Sequence, residues 1–161
     1  MNIMRNQKGI TLVEIIIVIA ITGIISSIAA FGVLKFRDSI QYNILLNSIV
    51  ESTNNVKMKA MTSRLDESDT RISYGIIFFE NRYVEFEGDT YVEGADTNVE
   101  YQVAIGLRLS STCSPTDNGT VVFSPITGEN TNMCTIYIYR LEQVTQIGNI
   151  AISKYGVQQA F

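Results

Sequence analysis

The chain begins with a short polar leader and passes at once into a long apolar segment. From Ile10 to Leu34 there are 25 residues, and Glu14 is the only charged one among them. At a rise of about 1.5 Å per residue such a helix is roughly 37 Å long, which exceeds the hydrocarbon thickness of a bilayer, about 30 Å. The pattern predicts a membrane-spanning helix over residues 10–34, preceded by a leader over residues 1–9.

The apolar segment is followed by a second helical pattern without a break. No proline precedes Pro115, so the helix is predicted to continue as an amphipathic segment over residues 35–63. One stripe recurs at three- and four-residue spacing and is predicted to face a sheet. Its members are Tyr42, Leu45, Leu46, Ile49, Thr53, Val56 and Ala60. The opposite, more polar face is Glu51, Asn54, Asn55, Lys57 and Lys59.

The helix is predicted to end near residue 63 and residues 64–71 to form a loop, and from residue 72 the pattern changes to strands separated by turns. The predicted strands are 72–79, 83–87, 98–109, 120–123, 135–140 and 149–153. The first two flank a turn at residues 80–82 and form a predicted hairpin. Residues 98–109 alternate over their whole length and predict one strand. A long helix followed by antiparallel strands predicts an α+β fold, with a β-rich domain over residues 64–161.

Glu14 is the first candidate functional residue. A bare charge within a membrane-spanning helix costs about 2.5–3.5 kcal/mol on insertion scales, so Glu14 needs a partner. If the chain is cut after Gly9, Ile10 acquires a free amine four residues before Glu14, on the same helix face. Between neighbouring chains, the amine of one would meet the Glu14 carboxylate of another. Such a pairing would favour assembly over a lone subunit.

The stretch Lys8-Gly9-Ile10-Thr11-Leu12-Val13-Glu14 resembles the class III signal of type IV pilins and type II secretion pseudopilins. The resemblance implies cleavage after Gly9 by a prepilin peptidase, N-methylation of Ile10, and assembly into a filament through Glu14. It also implies a pilin-like fold, with a single span in the inner membrane and an extracytoplasmic C-terminal domain. The implied partners are the peptidase, other pilin subunits, the inner-membrane assembly platform and membrane lipid.

Two departures from the family pattern refine this interpretation. Ile10 stands where phenylalanine or methionine is more usual, and Phe31 lies where many major pilins carry a helix-kinking proline. The second departure favours a pseudopilin or minor pilin. The C-terminal half resembles the GspH/FimT group of pseudopilins, in the segments 121–125, 136–138 and 150–156 and in Gly128. The closing residues 156–161 lack the arginine often found there, so a DNA-uptake function is not implied.

The composition argues against several kinds of binding and catalysis. The chain has a formal net charge of −4 and no histidine, so we expect no nucleic-acid partner and no Ser-His or Cys-His catalytic system. No catalytic residue, metal or cofactor is predicted. The acidic run 66–69 is interpreted as a solvated loop, with a calcium site as the alternative. A further set of acids is interpreted as the wet face of an exposed strand: Glu80, Glu85, Glu87 and Asp89.

Cys113 and Cys134 are the only two cysteines and lie 21 positions apart. In an oxidising compartment they are expected to form a disulfide in preference to free thiols. A zinc site is disfavoured because two sulfurs have no histidine to join them. Asn118 begins a glycosylation sequon that is interpreted as a turn.

These observations predict a structural subunit of a type IV filament system, and not an enzyme. Two other functions stay open: a membrane-tethered binding domain that does not polymerise, and a competence-type pilin in DNA uptake. The N-terminus itself has two alternatives, a secretory signal peptide cut near Ala30 and a plain single-span anchor. The sequence does not distinguish a secretion system from a pilus.

Overall fold

A computed structural model describes residues 11–65, 70–115, 118–130, 132–141 and 145–160, without the side chains of residues 28–38 and 159–160. The cleavage residues Gly9 and Ile10 and the acidic run 66–69 lie outside the described residues. The chain divides into two compact units, Met1–Ile40 and Gln41–Phe161.

One α-helix, α1 (Leu12–Met61), begins in the first unit and ends in the second. Its bounds agree with the predicted helix to within two residues at each end. In the first unit, the described side chains of residues 12–27 are all exposed. Among the residues that the structure describes, no helix is both long enough and apolar enough to cross a membrane.

The second unit contains eight strands in two antiparallel sheets. The first sheet has the order β3-β2-β1-β5 and the second the order β4-β6-β7-β8. The strands of the first sheet are β1 (Tyr74–Phe78), β2 (Arg82–Glu87), β3 (Val99–Gln102) and β5 (Thr120–Phe123). Those of the second are β4 (Leu107–Ser114), β6 (Met133–Arg140), β7 (Thr145–Ser153) and β8 (Gly156–Ala160). The α+β architecture is confirmed, and so is the β1–β2 hairpin.

The second half of α1 packs against both sheets through the predicted stripe. Leu45, Ile49, Thr53, Val56 and Ala60 are buried, and Tyr42 and Leu46 are partly buried. The same core takes side chains from both sheets: Ile76, Phe78, Val121 and Phe123 from the first, and Leu109, Ile136, Ile138, Ile150 and Ile152 from the second. The three- and four-residue spacing therefore identified the face of α1 that is buried against the two sheets.

The prediction of one strand over residues 98–109 is wrong. The chain forms β3 in the first sheet, turns at residues 103–106, and enters the second sheet as β4. The Leu107 amide donates to Ala104 and Gly106 adopts a φ of 95°, a left-handed conformation that glycine adopts without steric cost. Ile105, which one continuous strand would place on the same face as Leu107 and Leu109, is 95% exposed in this turn.

Candidate functional site

The Glu14 carboxylate lies at the first turn of α1, where Thr11 precedes the first helical residue. The Thr11 amide and hydroxyl donate to Glu14 Oε2 at 3.4 and 3.5 Å, and the Glu14 amide donates to Thr11 Oγ1 at 3.3 Å. This reciprocal arrangement is a capping box, in which a threonine and a glutamate three residues later satisfy amides that the helix leaves free. The pattern Thr-x-x-Glu is visible in the sequence and is the signal that would have predicted this cap.

The surroundings of Glu14 are exposed and apolar. Leu12, Val13 and Ile17 are 74%, 63% and 52% exposed. Within the part of the chain that the structure describes, no salt bridge involves Glu14, and its hydrogen bonds are those with Thr11. The capping interaction uses Oε2, so the carboxylate keeps capacity to accept hydrogen bonds from a charged donor outside the chain. The predicted donor is the amine at Ile10 of a neighbouring subunit, and this pairing stays a prediction.

The two cysteines lie opposite each other on paired strands. Cys113 in β4 is in register with Cys134 in β6, and the two residues form a disulfide with an S–S distance of 2.01 Å. Both residues are buried in the core. The bond joins the two strands at the end of β4 that is farther from the β3–β4 turn.

The structure contradicts the interpretation of Glu85 as a residue on a wet face. Glu85 is 3% exposed, because alternation along β2 places it with Tyr83 on the face that α1 covers. The Lys59 ammonium donates to Glu85 Oε2 at 2.7 Å, while Glu85 Oε1 has no hydrogen-bond partner among the described residues. Glu80 and Asp89 are exposed as predicted, and Glu87 is half-buried.

Two tyrosines accompany this buried carboxylate on the helix-facing side of the sheet. The rings of Tyr83 and Tyr101 stack with centroids 5.0 Å apart, and the Tyr83 hydroxyl lies 2.6 Å from Ser48 Oγ. Burial, and then the neighbouring Glu85 carboxylate, raise the pKa of Tyr101 above its ordinary value. The Glu85 carboxylate therefore acts on the Tyr101 hydroxyl as a neighbouring negative charge. The cluster ties the helix to the sheet.

A family model described as the prokaryotic N-terminal methylation motif matches residues 4–30. The match supports a type IV pilin-like protein, and it includes Gly9, Ile10 and Glu14. It ends before the second unit, so the resemblance to the GspH/FimT group stays a proposal. No curated protein and no solved structure was found with significant similarity to the chain.

Proposed function

We propose that the protein is a pseudopilin or minor pilin, a structural subunit of a type IV filament system such as a type II secretion system or a type IV pilus. Prepilin peptidase cuts after Gly9, the new amine of Ile10 is methylated, and the helix enters a filament. The protein acts mechanically, through assembly with other subunits on an inner-membrane platform.

The observation that carries this proposal is the environment of Glu14. A carboxylate lies among exposed apolar side chains, and in the described residues it is held by Thr11 alone. An isolated anchor gains only a helix cap from a charge in its apolar segment, whereas a subunit that must bind the amine of its neighbour also gains a specific contact. The methylation motif at residues 4–30 supports the same conclusion because it supplies that amine.

The proposal also places residues 10–34 in the inner membrane before assembly. The sequence run from Ile10 to Leu34 is apolar except for Glu14, and the exposed side chains of residues 12–27 would contact lipid before assembly and neighbouring helices afterwards. The second unit, with its disulfide, would lie in an oxidising extracytoplasmic compartment.

The experiment is the purification of sheared filaments from cells that make the protein together with its assembly machinery. We expect the protein to co-purify with other pilin subunits and to begin at methylated Ile10. Gly9→Val is the matched control, because blocked cleavage should leave the protein in the membrane fraction. A correctly cleaved protein that never enters filaments would instead support the membrane-tethered binding domain.

A further inference from the structure

Ile126 has a backbone conformation that its side chain disfavours. Its φ is 68°, and a β-branched residue with positive φ is a genuine outlier. Glycine or asparagine would adopt this conformation at lower cost. Such strain persists only where the surroundings impose it, and it concentrates at sites that bind or switch.

Hydrogen bonds hold the Ile126 loop against the end of α1. The Ile126 amide donates to the Ala60 carbonyl at 3.3 Å, and the Thr127 and Gly128 amides donate back to Pro125 and Ser124 at 2.7 and 3.0 Å. Despite this close seating, the Ile126 side chain is 61% exposed. The loop therefore presents an aliphatic group to the outside at a conformational cost.

Two more exposed side chains, those of Met61 and Tyr155, belong to segments that lie next to this loop. Met61 follows Ala60, and its side chain occupies the space where a Cβ on Gly128 would stand. The carbonyl of Tyr155 accepts a hydrogen bond at 2.6 Å from Lys57, whose side chain also passes Gly128. Met61 and Tyr155 are 39% and 71% exposed. We call Met61, Ile126 and Tyr155 the Ile126 patch.

The charges at the border of the Ile126 patch have an excess of lysine. Lys57 lies on one side, and Lys154, with its ammonium 5.7 Å from the centroid of the Tyr155 ring, on another. Glu129 pairs with Lys154 at 3.1 Å, whereas Lys57 forms no salt bridge among the described residues and donates to the Tyr155 carbonyl. In a chain of net charge −4, this is a locally basic border around an apolar centre.

The loop between β2 and β3 has the complementary character. Val92 is 62% exposed at its centre, and the exposed acids Asp89, Glu93 and Asp96 surround it in sequence. Tyr91 anchors the loop by edge contacts to Phe79 and Phe86, with ring centroids 5.8 and 5.7 Å away. Glu93 pairs with Arg82 at 3.3 Å, so Asp89 and Asp96 give the apolar tip its acidic border, and the loop is fixed at its base.

We propose that the Ile126 patch of one copy binds the acidic β2–β3 loop of the next copy, so that successive globular domains meet head to tail. The two surfaces differ in sequence and in charge, which makes the contact heterologous, and a heterologous contact that does not close generates a filament. This inference rests on the proposed function and names the partner surface within it.

The first test is cross-linking between two introduced cysteines in the full chain, assembled in cells. Among the described residues no cysteine is free, so Ile126→Cys and Val92→Cys add single thiols in two differently tagged copies. A short bismaleimide should join Cys at 126 to Cys at 92 at least tenfold more than either position to itself. Ile105→Cys, at a residue 95% exposed, is the control and should give only background.

The second test uses the strain at Ile126. Ile126→Gly should raise the thermal unfolding midpoint, because glycine accepts the positive φ, and should lower filament incorporation about tenfold. A merely structural residue would not lose function while the fold gains stability. Ile126→Asn should behave in the same way.

The outcomes separate this inference from the proposed function. Normal incorporation without a 126–92 cross-link, or with equal 126–126 cross-linking, overturns the head-to-tail contact and leaves the filament subunit in place. If the thiol at position 126 cross-links only to a different kind of subunit, the proposal that the Ile126 patch binds a second copy of this chain is wrong. Absence of the protein from filaments at all overturns the proposed function itself.

Discussion

The Lys59 ammonium lies 2.7 Å from the Glu85 carboxylate, and the two side chains are 40% and 4% exposed. The pair joins the last turns of α1 to β2 across the buried face of the sheet. Water solvates part of the Lys59 side chain but not the Glu85 carboxylate. Loss of the pair would therefore destabilise the charged form of Glu85 much more than that of Lys59.

Lys59→Met should therefore lower the free energy of unfolding by about 2–3 kcal/mol, because it leaves a buried carboxylate unpaired. The loss is below that of a fully buried pair, since Lys59 is partly solvated. Adding Glu85→Gln should recover most of it. Arg108→Met is the control, because its 2.5 Å pair with Glu80 is more than half exposed and should be worth about 0–1 kcal/mol. Equal losses for Lys59→Met and Arg108→Met in urea denaturation would contradict this account.

Tyr101 should make the free energy of unfolding decrease at alkaline pH. Its pKa is raised by burial and by Glu85, so the folded state favours the neutral phenol. That contribution to stability is complete below the unfolded pKa of about 10 and is lost as the pH rises through the folded pKa. Tyr101→Phe should reduce the loss of stability above pH about 10, measured by denaturation at several pH values. An equal loss of stability in Tyr101→Phe and in wild type would contradict this assignment.

The Cys113–Cys134 bond should be present in exported protein. Alkylation before reduction should label neither thiol, and labelling of both would reject the bond in the cell. Cys113→Ala combined with Cys134→Ala should lower the free energy of unfolding by about 3 kcal/mol, chiefly by releasing the unfolded chain. The double variant avoids an unpaired thiol, so its loss can be compared directly with that of the reduced wild type.

Processing should occur at the Gly9–Ile10 bond. Mass spectrometry after co-expression with a prepilin peptidase should find a methylated Ile10 as the first residue. Gly9→Ala should slow cleavage much less than Gly9→Val, if the peptidase pocket accepts only a small side chain. A retained Met1, or a new N-terminus near Ala30, would mean that the signal is of another kind.

Hydrophobic periodicity correctly predicted the elements that keep one regular repeat along their whole length. The stripe from Tyr42 to Ala60 marked the buried face of α1, since helical spacing and burial coincide there. The same reasoning failed at residues 98–109, because a period of two continued through the turn at Gly106 while the chain changed sheets. It also missed β8, whose residues Val157 and Gln158 carry little apolar alternation; pairing with β7 determines that strand.

The sequence was informative about some candidate functional residues and misleading or silent about others. The role expected of Glu14 came from one charge in an apolar segment, and local geometry added the capping box with Thr11. Glu85 was misassigned because alternation alone does not say which face of a sheet is covered. Burial by α1 decides that, and the covering helix lies 26 residues away in sequence at Lys59. The strain at Ile126 has no sequence signal, because a Pro-Ile pair does not determine the φ of its second residue.

We propose that Glu14 promotes filament assembly through its negative charge. Glu14→Ala should leave membrane insertion and cleavage at Gly9 intact, since it removes a costly charge downstream of the cleavage site. Glu14→Gln distinguishes the two roles of the side chain, because glutamine preserves a capping box with Thr11 but carries no charge. Thr11→Ala is the matched control, since it removes the cap and keeps the carboxylate.

The decisive measurement is therefore the fraction of cleaved protein recovered in sheared filaments for wild type, Glu14→Gln and Thr11→Ala. We expect the recovered fraction of Glu14→Gln to fall at least tenfold and that of Thr11→Ala to stay within about twofold of wild type, since a charge-assisted contact is roughly twice as strong as a neutral one. Wild-type incorporation of Glu14→Gln as an internal subunit would contradict this expectation, and would leave the helix cap as the function of this carboxylate.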